Sequence, residues 1–360
     1  MYAVTAGLLA FGVLMVYSAS SYNGEVNYGN EYFFMFKQLF GVVAGCAAMA
    51  AMTFIDYRKL MRLRFVILGI GIVLLVIVRI PGIGMENYGA RRWIDLGFIT
   101  LQASEVAKVG YVIFAAGYMA KNGKKMTTVR GILPLIAVGA AICGLIMLEP
   151  NMSVTMCVAM TMIVLLILGG MRVKHLLFLL LPMAALVIVL IIIEPYRLAR
   201  LLAFIDPWAS PLEEGYQLLQ SFYGLGSGGL FGVGLFNSRQ KYLFLPFAES
   251  DFIFSVIGEE LGLIGCLLVM AAFCFMIYRL IRIAQNAADR FGCLLAGGMA
   301  ALIGIQVLIN IAVVTGSIPP TGIPLPFVSA GSSSLIVFCG GIGICQSVAV
   351  RSHASVRALI

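Results

Sequence analysis

The sequence predicts an all-α polytopic membrane protein with about ten spanning helices, and three observations carry that prediction. Of 360 residues, 61% are hydrophobic and 11% charged, with a mean hydropathy of +1.03, whereas a water-soluble domain of this length exposes far more charge. The apolar residues gather into runs of roughly 17–25, the length that crosses a hydrocarbon layer about 30 Å thick. The basic residues sit in short clusters between alternate runs, which is a pattern of membrane topology.

Taken in order, the predicted spans lie near 2–20, 34–55, 64–80, 98–120, 131–148, 152–170, 175–193, 251–278, 291–315 and 331–350. The first run has neither a basic lead nor a cleavage context, so it reads as a span and not as a signal peptide. Glu149-Pro150-Asn151 separates the fifth span from the sixth, because proline removes a donor and clashes with the preceding turn. The whole chain, 1–360, reads as one membrane domain, with 194–250 as a large loop between the seventh and eighth spans.

Charge sets the orientation. Alternate connections hold Arg58, Lys59, Arg62 and Arg64, then Lys121, Lys124, Lys125 and Arg130, then Arg172 and Lys174, then Arg279, Arg282 and Arg290, and finally Arg351 and Arg357. Only Asp56 and Asp289 lie among them as acids. The positive-inside rule places that face, with both termini, in the cytoplasm and the 194–250 loop outside. The net charge of +8 is therefore topological and does not point to nucleic acid. The eight cysteines fall mostly inside apolar runs without metal-ligand spacing, so they read as small buried hydrophobes. His175 and His353 lie among basic residues at membrane edges and receive no catalytic role.

An ionised group inside a span is costly and marks function or a buried partner. Glu105 and Lys108, three residues apart on the fourth span, share a helix face. They read as a buried structural ion pair or as a pair that handles substrate. In the outer loop before them, Arg91, Arg92 and Trp93 suit an interfacial anchor or a phosphate grip. Gly224, Gly226 and Gly229 satisfy G-x-G-x-x-G, but a dinucleotide site needs a βαβ unit that a helical membrane chain does not offer. These glycines instead predict a tight, re-entrant backbone path.

Asn237-Ser238-Arg239-Gln240-Lys241 then makes a polar, cationic patch ahead of Asp251, with Glu259 and Glu260 inside the span that follows. Asp251 suits a helix cap and equally a functional carboxylate beside cations and glycines. The proline-rich stretch from Gly316 to Ser334, which includes Ser329, requires irregular backbone against protein or a wet cavity.

These motifs together resemble the SEDS family (shape, elongation, division and sporulation), the bacterial group that includes FtsW, RodA and SpoVE. The resemblance covers nearly the whole chain: Met15 to Ser20, Gly89 to Ile94, Gln102 to Glu105 with Lys108, Pro195-Tyr196-Arg197 with Arg200, and above all Tyr216 to Gly265. The Ser-Arg-Gln-Lys run is closer to the division and sporulation branch than to the elongation branch. Departures are Glu249 in place of an earlier glutamate, Ser250 for threonine, Glu149 to Ser153 for a Pro-Asp-Leu-Gly-Thr motif, and Ser329 to Ser334 without Tyr-Gly-Gly.

The resemblance implies a SEDS fold, GT-C-like, and a peptidoglycan glycosyltransferase that polymerises lipid II on the outer face of the bacterial cytoplasmic membrane. The family's essential aspartate falls on Asp251, which would act as general base. Candidate substrate-binding residues are Arg197, Arg200, Ser238, Arg239, Gln240, Lys241, Arg92, Trp93 and Ser329. The leaving pyrophosphate needs cations or a divalent metal, magnesium or manganese, and no organic cofactor. Expected partners are a class B penicillin-binding protein and other division or sporulation proteins. A lipid II transporter and a non-catalytic scaffold for that transpeptidase are the alternatives.

Overall fold

The computed structural model describes residues 1–87, 90–95, 97, 100–172, 174–176 and 195–357. Among these, seven helices are long and apolar enough to cross a membrane: α1 (Tyr2–Tyr28), α2 (Phe33–Phe54), α3 (Tyr57–Ile77), α5 (Val129–Met147), α9 (Ile253–Gln285), α10 (Arg290–Val314) and α11 (Ser332–Arg357). Two more helices complete the described bundle, α4 (Ala103–Lys121) and α6 (Met152–Leu168). α4 is buried along most of its length, so its residues meet protein more than lipid and tolerate Glu105 and Lys108. The predicted seventh span, 175–193, lies largely outside the described residues.

Small residues let the helices approach closely, as membrane packing favours. Gly45 of α2 faces Leu335 and Cys339 of α11, and Gly71 of α3 faces Ala107 of α4, each with no room for a Cβ. α10 is the most buried of the seven spans and runs through the centre. Four helices start with a side-chain cap. The carboxylates of Asp56 and Asp289 accept from the N–H groups of Arg58 and Gly292, Thr128 accepts from Gly131, and Asn151 from Val154. Each such cap contributes about 1 kcal/mol.

The bundle has two unlike ends. Arg58, Lys124, Lys125 and Arg290 gather where α3, α5 and α10 begin and α4 ends, while Glu149, Glu249 and Asp251 lie at the other end. This separation agrees with the charge sorting read from the sequence.

Two elements differ from expectation. The connection before α4 contains a three-stranded antiparallel sheet, β1 (Gly84–Asn87), β2 (Ala90–Asp95) and β3 (Thr100–Gln102), in the order β1-β2-β3. The fourth span therefore begins at Ala103 and not near 98. Trp93 pairs with Met85 on one side and Gln102 on the other, and alternation along β2 sends Arg91 and Arg92 to opposite faces. Arg91 meets Glu86 at 2.7 Å.

The long connection before α9 also holds helices, α7 (Pro195–Ile205) and α8 (Tyr216–Gly228). After α8 the chain folds back against α9, where Gly262 leaves the helical conformation at φ 65°. The carbonyls of Glu259 and Glu260 accept from the N–H groups of Val233 and Gly234, at 2.9 and 3.1 Å. The N–H groups of Leu263 and Ile264 donate to Gly229 and Leu230, at 2.9 and 3.2 Å. The segment thus supplies the backbone partners that a break in a membrane helix needs. A Cβ on Gly232 would stand 2.1 Å from the Glu260 carbonyl oxygen, and one on Gly228 would stand 1.9 Å from that of Gly258. Of the three glycines that predicted a tight path, Gly229 lies in this fold-back at φ 53°, whereas Gly224 and Gly226 lie within α8.

Candidate active site

Asp251 stands two residues before α9, at the end of a curled turn in which Phe247 adopts φ 56°. The N–H groups of Ser250 and Phe252 both donate to the Phe247 carbonyl, at 3.1 and 3.3 Å. Three consecutive main-chain carbonyls are then clamped. That of Glu249 accepts from the Ala330 N–H at 2.9 Å, that of Ser250 from the Ser329 hydroxyl at 2.5 Å, and that of Asp251 from Asn310 Nδ2 at 2.8 Å. Phe252, not Asp251, is the helix N-cap residue, and it makes no side-chain cap. The capping reading of Asp251 therefore fails.

The clamp is anchored from inside the bundle. Asn310 Nδ2 also donates to the Ile323 carbonyl at 2.8 Å, and Gln306, one turn earlier on α10, donates to that of Pro324 at 3.0 Å. Gln306 Oε1 accepts from Lys108 at 2.7 Å, and Lys108 pairs with Glu105 at 2.7 Å, both 1% exposed. Ser334 donates to Glu105 at 3.2 Å. Each charge is matched and hydrogen-bonded, the condition under which a buried pair is tolerated. Glu105 and Lys108 are thus the root of a polar chain that fixes the proline-rich stretch beside Asp251. The Gly322 N–H donates to Ser153 at 3.2 Å, and a Cβ on Gly322 would stand 2.9 Å from Asp251 Oδ2.

The Asp251 backbone is fixed, but its carboxylate has no hydrogen-bond donor among the described residues. Asp251 is half-buried, and burial pushes its pKa up to about 7. The neighbouring Glu249 carboxylate pushes the same way, while Arg92 and Arg200 pull it down. Glu249 is itself raised by burial, against the bond from Asn23 at 3.3 Å. Glu149 is raised by burial to about 8, against the charges of Arg92 and Arg79.

Of the predicted site residues, Arg92 and Arg200 are brought within electrostatic reach of Asp251. Arg92 donates to the carbonyls of Glu149 and Pro150, at 3.0 and 2.6 Å. Arg200 donates to that of Pro320 at 3.4 Å and pairs with Glu214 at 3.8 Å. Trp93 is half-buried on β2 beside Arg92. Ser329 is buried, and its hydroxyl joins Ser250 to the Leu325 N–H, so it is a clasp on the Asp251 turn. Arg197 lies on α7, and its side chain is outside the described residues.

The Ser238–Lys241 run is engaged by the glutamates of α9. Glu259 accepts from the Ser238 hydroxyl and from the N–H groups of Arg239 and Gln240, at 2.9 and 3.3 Å for the latter two. Glu260 accepts from the Ser238 N–H at 3.2 Å and from Ser18 at 2.5 Å. The Lys241 ammonium donates to the Phe236 carbonyl. Ser238, Gln240 and Lys241 are buried, whereas the Arg239 side chain is exposed.

Sequence reasoning missed Asn310, Gln306, Gly322 and the influence of Glu249. Gln306 and Asn310 were readable in principle, as two polar residues four apart in an otherwise apolar span. No group of three or more His, Cys, Asp and Glu among the described residues converges to hold a metal ion.

Comparison with known proteins agrees with this architecture. A sequence profile for the FtsW, RodA and SpoVE family, described as cell cycle protein, matches residues 1–354. Stage V sporulation protein E of Bacillus subtilis is 38% identical over 351 residues, covering 97% of this chain and 96% of its own. A probable peptidoglycan glycosyltransferase FtsW of Coxiella burnetii is 39% identical over 354 residues, covering 97% and 95%. A chain in a solved peptidoglycan synthase complex superposes with a TM-score of 0.82 at 26% identity, covering 97% and 96%. The rod shape determining protein RodA of Thermus thermophilus superposes at 0.72, with 24% identity, covering 97% and 95%, and shows the shared fold.

Proposed function

This chain belongs to the FtsW, RodA and SpoVE family of cell cycle proteins, and we propose that Asp251 is the general base of its reaction. The protein is a multi-pass membrane peptidoglycan glycosyltransferase. Its substrate in our reading is lipid II, a disaccharide-peptide carried on undecaprenyl pyrophosphate, polymerised at the outer face of the bacterial cytoplasmic membrane. Both termini then lie in the cytoplasm, and the basic end of the bundle supports that orientation.

One observation carries the assignment: a carboxylate with no donor among the described residues sits on a backbone clamped at three successive carbonyls, within electrostatic reach of two arginines. A base needs a fixed position, a free lone pair and a pKa near the working pH. Asp251 combines all three, with a pKa of about 7. It takes the proton of the acceptor 4-hydroxyl, whose oxygen bonds to the anomeric carbon of the donor. The bond from that carbon to the pyrophosphate oxygen breaks, and its electron pair leaves with the diphosphate. Attack opposite the leaving group inverts the anomeric centre.

Arg92 and Arg200 lower the energy of the developing diphosphate charge, with Arg197 and the exposed Arg239 as further contacts. The described residues do not form a carboxylate cage for magnesium or manganese. A class B penicillin-binding protein is the proposed transpeptidase partner, supported by the likeness to a chain of a peptidoglycan synthase complex.

The test supplies labelled lipid II to purified protein, alone and with the transpeptidase. Polymer formed by the native chain and reduced about 10²–10⁴-fold in Asp251→Asn supports the base. Transbilayer movement of lipid II without polymer would establish a transporter instead, and neither activity would leave a scaffold.

A further inference from the structure

At the end of the bundle away from Asp251, a cavity of about 260 Å³ opens between α9 and α11. Tyr278, Arg279, Arg282 and Asn286 line it from α9 and the turn after it, and Gln346 and Ser352 from α11. Both arginines are exposed, and no acid is among the lining residues. Asp289, the acid of the adjoining turn, is engaged by the Tyr57 hydroxyl, by Arg58 at 3.3 Å and by the Gly292 N–H at 2.8 Å. Two guanidinium groups therefore line a small concavity with amide and hydroxyl groups around it. That donor set is built for an oxyanion, and guanidinium matches phosphate geometry.

The approach to the cavity identifies the source of the phosphate. Leu268, Phe275 and Tyr278 are 66%, 47% and 53% exposed, and with Arg282 they recur at helical spacing along one face of α9. From Leu268 to Arg282 the helix rises about 21 Å, comparable with the depth of one leaflet including its headgroups, about 15–22 Å. An apolar stripe that faces lipid thus ends at the arginines. The volume is below the roughly 300–1,000 Å³ of a site for a larger organic ligand, which suits a headgroup better than a nucleotide. Basic pockets between spanning helices take anionic headgroups in this way.

We propose that this cavity binds the headgroup phosphate of an anionic diacyl phospholipid, whose acyl chains lie along the exposed stripe of α9. Arg279 and Arg282 make the charge-assisted contacts, with Asn286, Gln346 and Tyr278 as neutral donors around them.

The full chain, extracted in mild detergent, is titrated with phosphatidylglycerol and separately with phosphatidylcholine, and bound lipids are counted by native mass spectrometry. The native chain is expected to take phosphatidylglycerol in preference. A basic residue near an anionic headgroup is worth about fivefold in affinity, so Arg279→Gln with Arg282→Gln should weaken binding about thirtyfold. Lys124→Gln with Lys125→Gln, on the same face but outside the cavity, should leave it unchanged. Should the double arginine variant not fold, each single variant carries the same test at about fivefold. Equal binding by the arginine variants, or equal loss in the lysine control, overturns the site. Displacement of the lipid from the native chain by inorganic phosphate at millimolar concentration overturns the lipid assignment in favour of a soluble anion.

Discussion

Replacing Glu249 with glutamine tests whether the charge around Asp251 sets the pH at which the enzyme works. Glu249 lies two residues before Asp251, and its carboxylate raises the aspartate pKa, second only to burial. Two residues of chain span at most about 7 Å. At an effective dielectric of about 20, two unit charges at that distance repel by about 2.4 kcal/mol, and solvent screening at this half-buried site reduces that figure. About half of that figure moves the Asp251 midpoint from about 7 toward about 6.

The sign follows from the chemistry. Only ionised Asp251 accepts a proton, so activity is lost as pH falls through its pKa, and a lower pKa extends activity to lower pH. At pH 6 the ionised fraction rises from about a tenth to about a half, a gain of about fivefold in rate. At high pH the weaker base works slightly more slowly. Glutamine keeps the oxygen that accepts from Asn23, and the Glu249 carbonyl clamp is main chain, so geometry is preserved. Initial rates of lipid II polymerisation, measured between about pH 5 and 9, supply the assay. A midpoint that stays in place or moves upward refutes the argument, because removing a like charge cannot stabilise the protonated acid.

Three further outcomes follow from the same geometry. Arg200→Gln removes a charge that holds the Asp251 pKa down, so the acid limb should move above 7, with weaker lipid II use seen as a higher KM. Gly322→Ala places a methyl group 2.9 Å from Asp251 Oδ2, so kcat should fall at least tenfold while thermal unfolding changes little. Lys108→Met leaves Glu105 buried and unmatched, which should destabilise the protein by about 3–5 kcal/mol, read as lost thermal stability in detergent. Lys108→Met with Glu105→Leu should recover much of that stability.

The spans and the charge-sorted ends of the bundle were legible because apolar run length and cation clustering are local signals. Arg92 and Arg200 were found as cations near outer loops, although nothing local says that β2 and α7 converge on the same turn. The Ser238–Lys241 run shows the limit most plainly. Along the chain it lies beside Asp251 and reads as an anion site, yet its donors are matched to Glu259 and Glu260, about twenty residues later. Only the fold-back at Gly262 brings those groups together. The short sheet escaped because strands of three to six residues, interrupted by glycines, carry too little alternation to compete with a helix prediction. Asn310 drew no reading from the sequence, and its role lies in two N–H bonds that fasten Asp251 and Ile323 across the fold.

The seam between the 229–234 fold-back and α9 is made of peptide groups, with Gly228, Gly232 and Gly262 at the points of closest approach. Such a joint is blind to side-chain identity except at those three positions and at Gly229 and Gly234, whose φ of 53° and 97° L side chains rarely adopt. Leu230, Phe231 and Val233, all turned outward, can drift to any apolar residue without disturbing it, whereas one added methyl group at Gly232 would pry the two strands of backbone apart. Mutational scanning of this region should therefore give a barcode, with five glycine positions that accept nothing and wide tolerance between them.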